Sequence, residues 1–271
     1  MRIIITLKSL QDCSYISSYD KLRGFVYSLQ RESSAFNQHN LAGYKLFAFS
    51  NIFPVSDFQT NDCRQLIISS PNNDFIYYLR DRITEMQERN EVKKIGEYLF
   101  QIDSVKSVSS KITKSCELIT GTPIVIRIPK YNYAQYGLNS KRPFEYWRPE
   151  YDFTAFLKQL ADNLLKKYEQ YYHKKPKAKC LFEQFEFKRT VSVVKVENGK
   201  NIPVIGSIWR FKFNNLDKEQ QEILQLGLDA GFGEMNSSGF GFMNLYREKL
   251  PSREQQEDVD AIPAAHLHAS E

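Results

Sequence analysis

Long apolar runs are missing from this sequence. No stretch approaches the ~18 residues that a membrane-spanning helix needs, so no membrane partner is expected. Cysteine is sparse. Cys13, Cys63, Cys116 and Cys180 are scattered without a CxxC pair, so they are expected to be reduced thiols, not a disulfide frame or a zinc site. The segment Met1–Lys8 is too short for a signal-peptide core and lacks a small-residue cleavage site, which points to the cytoplasm. Histidine occurs only four times. Aromatic residues are plentiful by contrast. Among 271 residues there are 16 Tyr and 19 Phe, with 42% hydrophobic and 25% charged residues overall. That composition excludes wholesale disorder and suits one large domain or two of ordinary size.

Charge is unevenly spread. The formal net charge is +5, but residues 252–271 hold one Arg and five acids, which leaves residues 1–251 at +9. A basic body rich in Tyr and Phe fits a polyanion, and RNA better than a membrane surface. The plain alternative is a slightly basic soluble domain.

Periodicity lays out the elements. Residues 2–8 are expected to form a strand. Residues 20–37 are expected to form a helix capped by Asp20, with Leu22, Phe25, Val26 and Leu29 on one stripe. Strands over 44–53 and 62–70, a helix over 74–89 and a strand over 97–108 complete a βαββαβ order, the ferredoxin-like signature. The order then restarts. A strand over 116–128, interrupted near Thr120-Gly121-Thr122-Pro123, is followed by a polar, aromatic stretch and a helix over 151–172. Strands over 182–196 and 202–213 flank the turn signal Asn198-Gly199. A helix over 216–228 and a strand over 240–246 close the second half. After Pro251 the chain turns acidic and Ala-rich and is expected to lose order.

Five of the twelve glycines fall within 227–241, in GLDAGFGEMNSSGFGFM. The cluster runs from a helix to a strand and has no Gly-Lys-Ser/Thr, so it is neither a P-loop nor a dinucleotide loop. Such glycines let a backbone approach a partner closely, and exposed N–H groups can hold phosphate oxygens. Tight turns at positive φ explain them equally well.

In this glycine-rich loop the chain resembles Cas6, the CRISPR repeat-RNA endoribonuclease family of the RAMP superfamily. LRGFVYSL followed by YKLFAFSNIF, TPIVIR at the start of the second half, and NLLKKY at 163–168 agree with it in order. The resemblance implies an α+β protein of two tandem ferredoxin-like (RAMP/RRM-like) domains. Residues 1–115 would carry catalysis, 116–250 the glycine-rich loop, and 251–271 an acidic tail. It implies cleavage of CRISPR repeat RNA, the precursor crRNA, with no metal and no cofactor. Subunits of a CRISPR effector complex and a second copy in a homodimer are further expected partners. A non-catalytic RNA-binding subunit of an effector complex is the alternative.

Matching residue by residue, His39 in HNLAGYK takes the family's acid/base position, with Tyr27 and Lys45 beside it. The chemistry needs these types. Attack of a ribose 2′-OH on its own phosphate requires a base, an acid for the 5′-oxygen and a cation for the phosphorane, and yields a 2′,3′-cyclic phosphate and a 5′-OH. Histidine titrates near neutral pH, and one proton transfer contributes about 10²–10⁴-fold. Lysine supplies positive charge. Tyrosine can orient the 2′-OH or donate a proton, and the base and acid roles of Tyr27 and His39 stay open.

Helical geometry puts Tyr27 about 150° from the apolar stripe, on a face shared with Arg23 and Arg31 at i, i+4, i+8. That face is expected to meet RNA or, alternatively, only solvent. Lys45 shares strand parity with Phe47 and Phe49, so it is useful only at the strand's mouth. RNA contacts are further expected from Lys130 and Arg148, near Tyr131, Tyr133 and Trp147, and from Gly231, Gly233, Asn236, Ser237, Gly239 and Gly241. Lys166 and Lys167 are expected to be solvated helix surface.

Overall fold

The computed structural model describes residues 1–15, 19–36, 43–178, 180–197 and 200–246. His39, Lys179, the Asn198-Gly199 turn and the tail 251–271 lie outside them.

The first half comprises β1 (Arg2–Ser9), α1 (Tyr19–Ser28), β2 (Ala48–Phe49), β3 (Cys63–Ser69), α2 (Asn73–Glu88), β4 (Val92–Ile95) and β5 (Tyr98–Val108). Its sheet runs β2-β3-β1-β5-β4 with every neighbour antiparallel. Strand alternation sends Ile3, Ile5, Leu7, Leu66 and Ile68 to one face, where Leu22, Phe25 and Val26 of α1 and Phe75, Leu79 and Ile83 of α2 cover them. Each such side chain taken from water contributes about 1.5–3 kcal/mol. Asn72 starts α2 by accepting from the Phe75 N–H at 3.1 Å.

The second half comprises β6 (Cys116–Thr120), β7 (Arg127–Pro129), β8 (Phe144–Tyr146), α3 (Phe153–Tyr172), β9 (Gln184–Glu197), β10 (Lys200–Phe213), α4 (Lys218–Ala230) and β11 (Met243–Leu245). Its sheet runs β11-β6-β10-β9, again antiparallel, with β7 and β8 as a separate pair. The stripe Phe156, Leu160, Leu164 of α3 is wholly buried, and Phe156 stacks on Trp209 of β10 at 4.2 Å. A capping box joins Asp217 and Gln220 at the start of α4. Both halves therefore follow the ferredoxin-like order in tandem. The first adds β4 at its edge, and the second inserts β7–β8 before its first helix.

Several expected elements are shorter: the strand over 116–128 stops at Thr120 as β6, and that over 240–246 reduces to β11. α1 begins at Tyr19, which places Asp20 inside its first turn, and it ends at Ser28. The strand expected over 44–53 reduces to β2, because the backbone of Tyr44 bonds to a side chain of α3 instead of to a neighbouring strand.

The halves meet where β11 and the glycine-rich loop approach the first sheet. Phe242 packs with Ala48, Ile67 and Ile4, and Tyr19 stacks on Phe240 at 4.8 Å. Buried Arg2 donates to Leu228 O at 2.9 Å, Met243 O at 2.7 Å and Asn244 Oδ1 at 3.2 Å. Burial pulls its guanidinium down to about 10, against the pull of Asp229. Among the described residues no helix is long and apolar enough to cross a membrane.

Candidate active site

The cluster begins on α1. Tyr27 is buried, 7% exposed, where helical periodicity alone turned it away from the core. The reason is a contact on its flank: Phe47, just before β2 and wholly buried, meets the Tyr27 ring edge-on, with centroids 5.7 Å apart and planes at 77°. Two cations sit against the same ring. Lys45 Nζ lies 5.3 Å and Arg23 Cζ 5.6 Å from its centroid, within the range where a π face attracts a cation. Lys45 precedes β2 and is half-buried, so it stands at the strand's mouth. Arg31 is exposed and lies beyond the end of α1. The expected Arg23-Tyr27-Arg31 face therefore stops after its second member.

The glycine-rich loop is built around a buried ammonium. Lys167 is 1% exposed, which corrects its expected place on a solvated helix face. Its Nζ donates to Gly231 O at 2.8 Å, Gly233 O at 2.8 Å and Asn236 Oδ1 at 2.6 Å. Three acceptors meet the three protons of an ammonium group. Burial lowers the Lys167 pKa to about 7, while Glu234 pulls it upward. Asn236 completes the knot by donating Nδ2 to Phe232 O and Phe240 O, each at 3.0 Å.

These bonds change the expected role of the loop. The N–H groups of Gly231, Gly239 and Gly241 donate to Gly227 O, Asn236 O and Pro123 O, and the Asn236 side chain points inward. They are occupied within the protein, so they make no phosphate cradle. Gly233 is buried as well, with Val125 O only 2.6 Å from where a Cβ would stand. At Gly241, φ is 67° and a Cβ would fall 1.9 Å from Phe232 O, so only glycine fits. Ser237 is the member of the set that keeps partial exposure.

The other expected RNA contacts lie by the β7–β8 pair. Lys130 is exposed and Arg148 half-buried. Tyr131 is 82% exposed, whereas Tyr133 and Trp147 belong to the core of the second half and have no free face for a base. Arg127 is tied to Glu234 of the glycine-rich loop, with Nε donating to Oε2 at 2.5 Å. Among the described residues no group of three or more His, Cys, Asp or Glu is placed to hold a metal.

Sequence reasoning passed over Lys167, Gln170 and Tyr44. The signal for the first was present. Phe156, Leu160 and Leu164 define a buried stripe, and the next position along it is 167 or 168. Gln170 and Tyr44 carry no such mark, because a side-chain amide bonding a distant peptide has no period.

Known proteins offer a comparison. The family model for CRISPR associated protein Cas6, C-terminal, matches residues 105–245. A Haloferax mediterranei protein named CRISPR-associated endoribonuclease Cas6 is 30% identical over 97% of this chain and 100% of its own length. CRISPR-associated endoribonuclease Cas6 2 of Methanocaldococcus jannaschii is 29% identical over 90% of this chain and 99% of its own. A solved structure described as a Cas6-related gene from Pyrococcus furiosus superposes with a TM-score of 0.68 at 22% identity, covering 92% of this chain and 99% of that one. At that identity the likeness is one of fold.

Proposed function

This chain belongs to the Cas6 family, and from that membership we propose that it binds CRISPR repeat RNA and cuts the precursor transcript once within each repeat. The observation that supports this reading is the Tyr27 ring with two cations against it, Arg23 and Lys45, the latter six residues downstream of the family's histidine position at His39.

Cleavage proceeds by attack of the ribose 2′-OH on the adjacent phosphate. The O2′–P bond forms, the P–O5′ bond breaks, and the products are a 2′,3′-cyclic phosphate and a 5′-OH. The proton of the 2′-OH leaves to a base, and a proton reaches the departing 5′-oxygen from an acid. His39 serves one of these transfers. Lys45 and Arg23 offset the charge that builds on the phosphorane, and fixed cations in a partly dry site stabilise it more than mobile ions do. Tyr27 sets these cations in place with its ring. The reaction takes no metal and no cofactor. Arg31, Lys130, Arg148 and Ser237 line the RNA path, and Gly231, Gly233, Asn236, Gly239 and Gly241 shape the loop beneath it. Residues 1–115 carry the chemistry and residues 116–250 the loop. The cut RNA stays bound and passes to effector-complex subunits.

The test is cleavage of the host's repeat RNA by purified protein in excess EDTA, beside a copy with one 2′-deoxy nucleotide at the cut. A single cut that survives EDTA and disappears with the deoxy substitution is expected. Tight binding without a cut would overturn the enzyme reading and leave an RNA-binding subunit.

A further inference from the structure

One peptide unit of the first half is held by a side chain of the second. Gln170, in the last turn of α3, accepts the Tyr44 N–H through Oε1 at 3.0 Å and donates Nε2 to the Tyr44 carbonyl at 2.9 Å. The pair copies what one strand offers another, and it replaces the strand pairing that Tyr44 lacks. The preceding residue is shaped for it. Gly43 has φ 84°, and a Cβ there would stand 2.9 Å from Gln170 Oε1. One turn earlier on α3, Lys167 Nζ lies 5.8 Å from the Tyr44 ring centroid. Burial raises the Tyr44 phenol above its usual range, and Glu234 adds to the rise. Tyr44 is therefore fixed at backbone and ring by the second half. The next residue is Lys45, with its ammonium over the Tyr27 ring, and the Lys45 carbonyl accepts the Phe47 N–H at 2.8 Å.

We propose that Gln170 is a positioning residue for repeat-RNA cleavage: by gripping the Tyr44 peptide it sets Lys45 against Tyr27, so the second half governs geometry in the first. The proposal rests on the reading of Lys45 as the catalytic cation. A lysine side chain has four rotatable bonds, and its charge reaches a defined point only if its own backbone is fixed. Displacing a catalytic group by about 1 Å can cost on the order of 10²-fold in rate. The grip needs one donor and one acceptor on the same planar group, which a glutamine provides. A carboxylate at this position keeps the bond to the Tyr44 N–H but turns an anionic oxygen toward the Tyr44 carbonyl. Protonating that carboxylate restores the donor.

The test is single-turnover cleavage with protein in excess, measured beside RNA affinity and urea unfolding for Gln170→Ala, Gln170→Glu, Lys45→Ala and the Gln170→Ala/Lys45→Ala pair. Gln170→Ala is expected to slow cleavage about 10- to 100-fold, with affinity within about threefold and an unchanged unfolding midpoint. The pair should cleave no more slowly than Lys45→Ala alone, since a positioning residue has nothing left to position. Gln170→Glu should regain rate relative to wild type as pH falls toward the carboxyl range. If Lys45→Ala is slow while Gln170→Ala cleaves like wild type, the proposal fails and the catalytic reading stands. If Lys45→Ala itself cleaves normally, both fail. Multiplicative losses in the pair, or a parallel fall in rate, affinity and unfolding midpoint, would also overturn it by showing general support for the fold.

Discussion

Replacing Lys167 with Met tests the account of the glycine-rich loop most directly. The side chain is fully buried, and its ammonium serves two backbone carbonyls and Asn236 Oδ1. Methionine fills similar volume but leaves three buried acceptors without a donor, at about 1–3 kcal/mol each, or about 6 kcal/mol together. Against this stands the relief of a buried charge. The pKa falls from 10.5 to about 7 in the folded protein, and each unit corresponds to about 1.4 kcal/mol. At pH 7 the substitution recovers about 4 kcal/mol of that strain, so the net loss is about 2 kcal/mol. The sign of the pH dependence follows. Between the folded and unfolded pKa values the unfolded chain binds more protons, so wild-type stability rises with pH. From about pH 7 to pH 9 this residue alone adds about 2 kcal/mol, and the gap to Lys167→Met widens to about 4 kcal/mol. Urea unfolding at several pH values measures both. A variant within about 0.5 kcal/mol of wild type, or a gap that narrows as pH rises, would refute the buried ammonium as the centre of the loop.

Gly241→Ala should cost about 3 kcal/mol or more, since the new Cβ meets Phe232 O and φ is positive; a thermal unfolding midpoint near wild type would contradict this. Tyr27→Phe keeps the ring beneath Lys45 and Arg23 and should cleave within about tenfold of wild type, whereas Tyr27→Leu removes the π face and should be slower still, as single-turnover rates will show. Arg2→Met deprives Leu228 O, Met243 O and Asn244 Oδ1 of their donor and should lower the urea midpoint by about 2–4 kcal/mol in stability. Lys130→Ala and Arg148→Ala should each flatten the slope of log affinity against log salt by about 0.7, the value for one single-strand phosphate contact; an unchanged slope would remove them from the RNA path.

Much of the fold was legible because it depends on local periods. Alternation in β1 and the four-residue spacing of Phe156, Leu160 and Leu164 report directly which face is buried. Where a neighbouring segment packs on the flank of a helix, the period misleads. Tyr27 lies off the apolar stripe of α1 and is nevertheless buried, because Phe47, just before β2, meets its ring edge-on. The same limit applies to the loop. Its glycines were visible, but their N–H groups turn out to serve Gly227 O, Asn236 O and Pro123 O, a commitment decided by partners far away in the chain. Charge was misleading in one respect. Lys167 reads as solvent-facing by type, and only its place on the stripe of α3 betrays a lysine held by carbonyl oxygens.

The junction between the halves also has a timetable. Every strand of the first sheet lies between Arg2 and Val108, so that sheet can pair as soon as those residues leave the ribosome. The segment that closes onto it, from Gly231 to Leu245, is made roughly 120 residues later, which at ordinary rates is about 6–25 s. Throughout that interval Ile4 and Ile67 have no Phe242 above them, and Arg2 has no carbonyl to meet. The nascent chain thus carries an uncovered apolar patch that only its own late synthesis removes. A pause in translation, or truncation before the glycine-rich loop, would prolong that exposure and favour capture by chaperones or self-association.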